Sequence, residues 1–119
     1  MTNPTEITLH QKSGTLEISY EDGARFNLPF EFLRVHSPSA EVRGHGPGEH
    51  VLQVGKMNVV LREIEPVGSY ALKLAFDDGH DSGLYSWEYL YDLGKNQDNL
   101  WRDYLGRLEA EGGSREPKP

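Results

Sequence analysis

Across residues 71–93 the spacing of apolar residues changes from that of a strand to that of a helix. Leu72, Leu74 and Phe76 alternate with Lys73 and Ala75. Successive strand side chains point to opposite faces, so such a run buries one face of a sheet. From Ser86 onward, Trp87, Leu90 and Tyr91 share one face of a helix. Ser86 is suited to start it, because its hydroxyl can accept from a free backbone N–H of the first turn. Between the two periods stands Asp78-Gly79, a turn signal. A chain that places both periods side by side is directed to an α+β fold, with an antiparallel sheet carrying helices on its apolar face.

The preceding residues extend the sheet. Ile7 and Leu9, then Leu16, Ile18 and Tyr20, then Ala24, Phe26 and Leu28 each alternate with polar neighbours. Lys12-Ser13-Gly14 and Asp22-Gly23 separate them, which predicts a three-stranded meander. Asp-Gly between alternating runs favours a two-residue turn whose central residues both take positive φ. Applied to Asp78-Gly79, that geometry sets Asp77 opposite His80, on the face away from Leu74 and Phe76. Phe30 to Val35 is short and apolar and predicts one helical turn, stopped by Ser37-Pro38. Gly44-His45-Gly46-Pro47-Gly48-Glu49-His50 predicts an exposed loop. A strand is expected over residues 59–64, followed by a turn at Pro66-Val67-Gly68-Ser69, and then the strand at 71–76. Gly94 is expected to break the first C-terminal helix and Asn96 to cap the second. In that second helix Leu100, Trp101, Tyr104, Leu105 and Leu108 form an apolar stripe, and Gly112-Gly113 ends it. The expected fold is therefore α+β: an antiparallel sheet, meander plus hairpin, packed against one or two C-terminal helices. Residues 1–111 form one domain and 112–119 a disordered polar tail.

Bulk properties narrow the function. The formal charge of −7 over 119 residues lacks the basic stripe that neutralises phosphates, so no nucleic acid is expected as partner. No apolar run reaches the roughly 18–20 residues of a membrane helix, and the N-terminus lacks a basic start and an apolar stretch, so a cytoplasmic protein is expected. The absence of cysteine removes disulfides, thiolate metal sites and cysteine nucleophiles.

The densest polar cluster is Asp77-Asp78-Gly79-His80-Asp81. A carboxylate beside an imidazole suits acid/base work or half a metal site, and a solvated hairpin tip is the plain alternative. With Ser82 and the aromatic Tyr85 and Trp87 it forms the candidate contact surface: Asp77, His80, Ser82, Tyr85 and Trp87. A metal reading joins His80 to His36, His45, His50 or Asp77. No Gly-x-Ser-x-Gly elbow, no phosphate-binding Gly-Lys-Ser/Thr, and no histidine with an acid two positions on occurs in the chain. An enzyme is not expected, and neither is a cofactor.

Leu33-Arg34-Val35-His36-Ser37-Pro38-Ser39-Ala40-Glu41, followed by Phe76-Asp77-Asp78-Gly79-His80-x-Ser82-Gly83-x-Tyr85-Ser86-Trp87-x-x-Leu90, resembles the gamma-butyrobetaine hydroxylase N-terminal-like domain family across residues 7–108. The resemblance implies a small β-rich domain in which a Cys-x-Cys-x-x-Cys cluster after Leu-Arg and the histidine of Asp-Gly-His hold one zinc. Here the matching positions are Ser37, Ser39 and Val42, with His80 retained, so zinc is expected to be lost. His80 is expected to be held instead by Asp77, Ser37 or Ser39. The oxygenase domain that carries out the hydroxylase's chemistry has no counterpart among these residues. Similar domains occur attached to P-loop ATPases that carry iron–sulfur clusters. This implies a non-catalytic accessory or protein-interaction module near iron–sulfur assembly, with such an ATPase as partner. A metal-binding accessory protein built on His80 is the alternative.

Overall fold

The computed structural model describes residues 2–39, 42 and 51–117. Three strands, β1 (Pro4–His10), β2 (Thr15–Tyr20) and β3 (Arg25–Pro29), form an antiparallel meander. Leu16 pairs with Leu9 and Leu28, and Ile18 pairs with Ile7 and Phe26, which gives the meander its one apolar face. Pro29 ends β3 and leads directly into α1 (Phe30–Val35). A second antiparallel sheet follows, ordered β4 (Leu61–Val67), β5 (Ala71–Phe76), β6 (Leu84–Ser86). Two helices close the chain, α2 (Trp87–Lys95) and α3 (Gln97–Glu111). Meander and hairpin thus lie in two separate sheets, not one.

Leu16, Ile18, Leu28, Leu33, Leu61, Leu72, Leu74 and Leu90 are fully buried in one core that joins both sheets to α1 and α2. Each such side chain contributes about 1.5–3 kcal/mol relative to exposure. A smaller cluster, Val35, Tyr104 and Leu108, fastens α3. Leu105, expected on the apolar stripe, is exposed. Edge-to-face contacts among Tyr20, Phe26 and Tyr91 tie the meander to α2, and the Tyr20 hydroxyl donates to the Trp87 carbonyl at 2.9 Å.

Several local expectations change. The first strand of the second sheet begins later and runs through Pro66, which pairs with Leu72; β4 is an edge strand, where a residue without an N–H is tolerated. Gly94 does not break α2. A Cβ there would lie 2.2 Å from the Phe26 ring, so the glycine is required by close helix–sheet packing, and the break falls at Asn96. Asn96 gives no side-chain cap to α3. Gly112, at φ +69°, ends α3 as expected, with the Gly113 N–H returning to Leu108 O at 2.9 Å.

The segment after Gly112, expected as a disordered tail, is docked as far as residue 117. Gly55 N–H donates to Ser114 O at 2.8 Å and Met57 N–H to Arg115 O at 3.0 Å. The Arg115 guanidinium forms a two-pronged pair with Glu31. Polar composition suggested a loose tail, but Glu31 and two free amides supply specific partners.

Both Asp-Gly turns depart from the two-residue form in the same way. No residue other than glycine has positive φ among those described, so neither Asp22 nor Asp78 takes the left-handed conformation. Gly23 N–H donates to Tyr20 O and Tyr20 N–H to Ala24 O; Gly79 N–H donates to Phe76 O and Phe76 N–H to His80 O. Each loop therefore holds three residues, with the glycine as a bulge at positive φ. In each, an aspartate oxygen accepts from the amide two residues on: Asp22 from Ala24 at 2.9 Å, Asp78 from His80 at 3.1 Å.

Candidate functional site around His80

The extra loop residue moves His80 to the other face of the hairpin. It stands opposite Phe76, their ring centroids 6.4 Å apart, and is 5% exposed. Asp77 is not its partner. The Asp77 carboxylate accepts from Val60 N–H at 3.0 Å while Asp77 N–H donates to Val60 O, which clamps the hairpin to the segment entering β4. The Asp77–His80 acid/base pair, one of the alternatives for this cluster, therefore does not form.

His80 meets the exit of α1 instead. Ser37 Oγ and His80 Nε2 lie 2.8 Å apart, and the Ser39 N–H donates to the same Ser37 oxygen. Ser39 Oγ bonds Ser82 Oγ at 2.7 Å. Ser37 and Ser39, two of the three positions that the resemblance set against zinc-ligand cysteines, thus face His80 and Ser82. Val42 is buried nearby, its N–H donating to Ser39 O. This donor set does not fit zinc. Hydroxyls are not usual ligands, valine has no donor atom, and His80 Nε2 is engaged by Ser37.

A serine hydroxyl on an imidazole also has the outline of a nucleophile and its base. Burial opposes that role: Ser37 is 1% exposed, and a Cβ on Gly83 would lie 2.5 Å from Ser37 Oγ, so the Gly83 backbone is packed directly against the hydroxyl. Tyr85 is fully buried, donates to the Leu33 carbonyl, and has its phenol pushed up by burial. It supports the cluster from beneath and presents no surface. Among described residues no buried side-chain polar atom lacks a hydrogen-bond partner.

Asp78 is the electrostatic hub. One oxygen takes the His80 amide and the other accepts from Arg34 Nε at 2.8 Å and Lys56 Nζ at 2.6 Å. Burial opposes its ionisation, but Lys56, the His80 amide and Arg34 outweigh that and hold the carboxyl down at about 2. Arg34 is itself buried, and it also donates to Gln53. Sequence reasoning missed Arg34 and Lys56. Arg34 stands in the quoted Leu-Arg motif, so a buried cation seeking a carboxylate was the available signal; for Lys56 there was none.

The other expected site residues scatter. Trp87 is half-buried at the start of α2, with Nε1 donating to Ser69 O and its amide to Tyr70 O. That is the far end of β5 from His80, roughly 20 Å away at strand rise. His36 bonds Phe32 O through Nδ1 and packs on the Phe32 ring. Among described residues no group of three metal-ligating side chains converges. His45 and His50 lie outside the described residues. Asp77, Ser82 and Asp81 remain exposed around the tip.

Beside the tip runs an irregular segment, residues 51–57. Val51, Val54 and Met57 are 51%, 40% and 40% exposed. Lys56 ties this segment to Asp78, and a hollow of about 300 Å³ opens between Gly55, Lys56, Asn58, Asp77 and Asp78. No described helix is long and apolar enough to cross a membrane.

The family described as "Gamma-butyrobetaine hydroxylase-like, N-terminal" matches residues 7–91. A protein solved by NMR in solution is 56% identical, with a TM-score of 0.86, covering 100% of this chain and 94% of its own. A second NMR structure is 55% identical, with a TM-score of 0.84, covering 100% and 89%. A crystal structure of a protein of unknown function, of the DUF971 family from Acidithiobacillus ferrooxidans, is 38% identical, with a TM-score of 0.65, covering 77% of this chain and 92% of its own. The comparison with curated proteins finds no match.

Proposed function

The chain belongs to the gamma-butyrobetaine hydroxylase-like, N-terminal family, and from that premise we propose that it is a non-catalytic protein-interaction module. The observation that carries this reading is the contrast between two adjacent regions. Ser37, Ser39 and His80 are buried and linked by hydrogen bonds through the Ser37 hydroxyl, whereas residues 51–57 beside them expose three apolar side chains. A saturated cluster serves as a brace. An exposed apolar strip rimmed by carboxylates serves as a contact face.

The contact face comprises Val54, Met57, Asp77, Asp81 and Ser82. Its partner presents an apolar patch with basic residues at the rim. The partner class is a P-loop ATPase that carries iron–sulfur clusters, the association the resemblance implies. The test is calorimetric titration of such a purified ATPase with wild type and with Val54→Asp/Met57→Asp. Saturable binding that the double variant loses, while its circular dichroism stays native, supports the module. Equal binding by both moves the contact elsewhere, and no binding removes this partner.

A further inference from the structure

Arg115 lies in a cleft between α1 and α3. Its Nε donates to Glu31 Oε2 at 2.8 Å and its Nη2 to Glu31 Oε1 at 2.7 Å, while its Cζ sits 5.2 Å from the centre of the Trp101 ring. The Glu31 side chain is 9% exposed. Arg115 both covers this carboxylate and balances its charge, and a covered carboxylate is costly without a cation. The parallel fork and the aromatic face both fit a planar guanidinium, which an ammonium cannot imitate. Beside Arg115 a cavity of about 250 Å³ remains, with Phe32, Gln97 and the second carboxylate, Asp98, on its walls.

Beyond the Arg115 side chain, the segment that delivers it has few backbone ties among the described residues. It leaves α3 through Gly112 and Gly113 and lies along residues 55–57 by two backbone hydrogen bonds, Gly55 to Ser114 and Met57 to Arg115. Those amides would pair equally well with any extended segment, as in strand-addition recognition.

We propose that the Glu31–Trp101 cleft is an arginine-recognition site, filled within the chain by Arg115, and that an extended arginine-bearing segment of a partner protein takes its place when the strap lifts. Charge selects a foreign segment over a second copy. The chain carries −7, so two copies repel while a basic segment is drawn in. The Glu31–Trp101 cleft is distinct from the hairpin tip, although the strap that fills it rests on residues 55–57 of the proposed contact face; the proposal does not depend on the ATPase reading.

The test follows the two indole resonances by NMR in full-length Arg115→Ala titrated with Nα-acetyl-arginine methylamide. The Trp101 signal shifts saturably and the Trp87 signal does not. The neutral citrulline analogue binds roughly tenfold more weakly or worse, as expected for losing a charged hydrogen-bond pair. Wild type gives the same shift at roughly tenfold higher concentration, because Arg115 competes. Glu31→Gln added to Arg115→Ala abolishes it. Equal response to the citrulline compound, no response, or equal affinity in wild type and Arg115→Ala overturns the proposal. Should Arg115→Ala unfold, the wild-type titration decides alone, by preference for arginine over citrulline or its absence. Dimerisation of wild type in sedimentation, with the same Trp101 shift, would assign the cleft to a second copy's strap and overturn the foreign partner.

Discussion

Ser37 and His80 stand 43 residues apart in sequence and 2.8 Å apart in space, Oγ to Nε2. Their hydrogen bond joins the exit of α1 to the β5–β6 hairpin. A parallel bond from Ser39 to Ser82 doubles the link. The hairpin tip is therefore braced from inside, and the surface beside it is held in register with α1.

Ser37→Ala removes the His80 partner and the acceptor of the Ser39 amide together. Losing buried hydrogen bonds of this kind costs about 1–3 kcal/mol. Urea unfolding followed by circular dichroism should show a lower midpoint with an unchanged slope. An unmoved midpoint would mean the brace contributes nothing to stability.

Two glycines in the C-terminal helices should respond to alanine with opposite sign. At Gly106 nothing lies within 4 Å of an added Cβ, so alanine should stabilise by up to about 1 kcal/mol through helix propensity. At Gly94 the same gain meets a Phe26 ring at 2.2 Å. Overpacking of that kind costs about 1–3 kcal/mol, so the net effect is destabilising. Thermal unfolding of both variants, with Phe26→Leu added to Gly94→Ala as a partial rescue, checks the sign.

Acid stability should depend on Asp78. Its carboxyl is depressed from 3.8 to about 2 in the folded chain, the bonds from Lys56, the His80 amide and Arg34 outweighing burial. A depressed carboxyl stabilises the fold above its unfolded value, and that contribution is lost as pH falls from near 4 toward 2. Urea midpoints measured from pH 7 down to pH 2 should fall steeply for wild type across that window and less for Asp78→Asn. Parallel curves would contradict the assignment.

At the alkaline end, burial and the Glu31 charge push the Tyr104 phenol up to about 12 against the pull of Arg115. Its raised value adds stability that is complete below pH 10 and lost as pH rises from 10 to about 12. A difference titration of phenolate absorbance, wild type against Tyr104→Phe, should centre near pH 12. A difference centred at the ordinary tyrosine value would mean that Tyr104 is open to water.

Strand alternation made the meander and the 71–76 strand legible, and the Ser86 cap located the start of α2, where Ser86 Oγ accepts from Tyr89 N–H. The turn geometry was not legible. Asp-Gly suits both a two-residue turn and a three-residue turn with a bulge, and the choice reverses which face His80 occupies. That one residue separates an exposed acid/base pair from a buried brace. Gly94 misled for a related reason: a helical glycine marks a break or a close approach, and only the position of Phe26 tells which. Arg115 was hidden because its partner, Glu31, is 84 residues away.

Zinc binding is the sharpest check on whether His80 is a hydrogen-bonded brace or a ligand. Native mass spectrometry of the purified chain with one equivalent of zinc, wild type beside His80→Ala, is the measurement. With His80 Nε2 held by Ser37, no stoichiometric zinc that depends on His80 is expected. Tight one-to-one zinc binding in wild type that His80→Ala abolishes would contradict that.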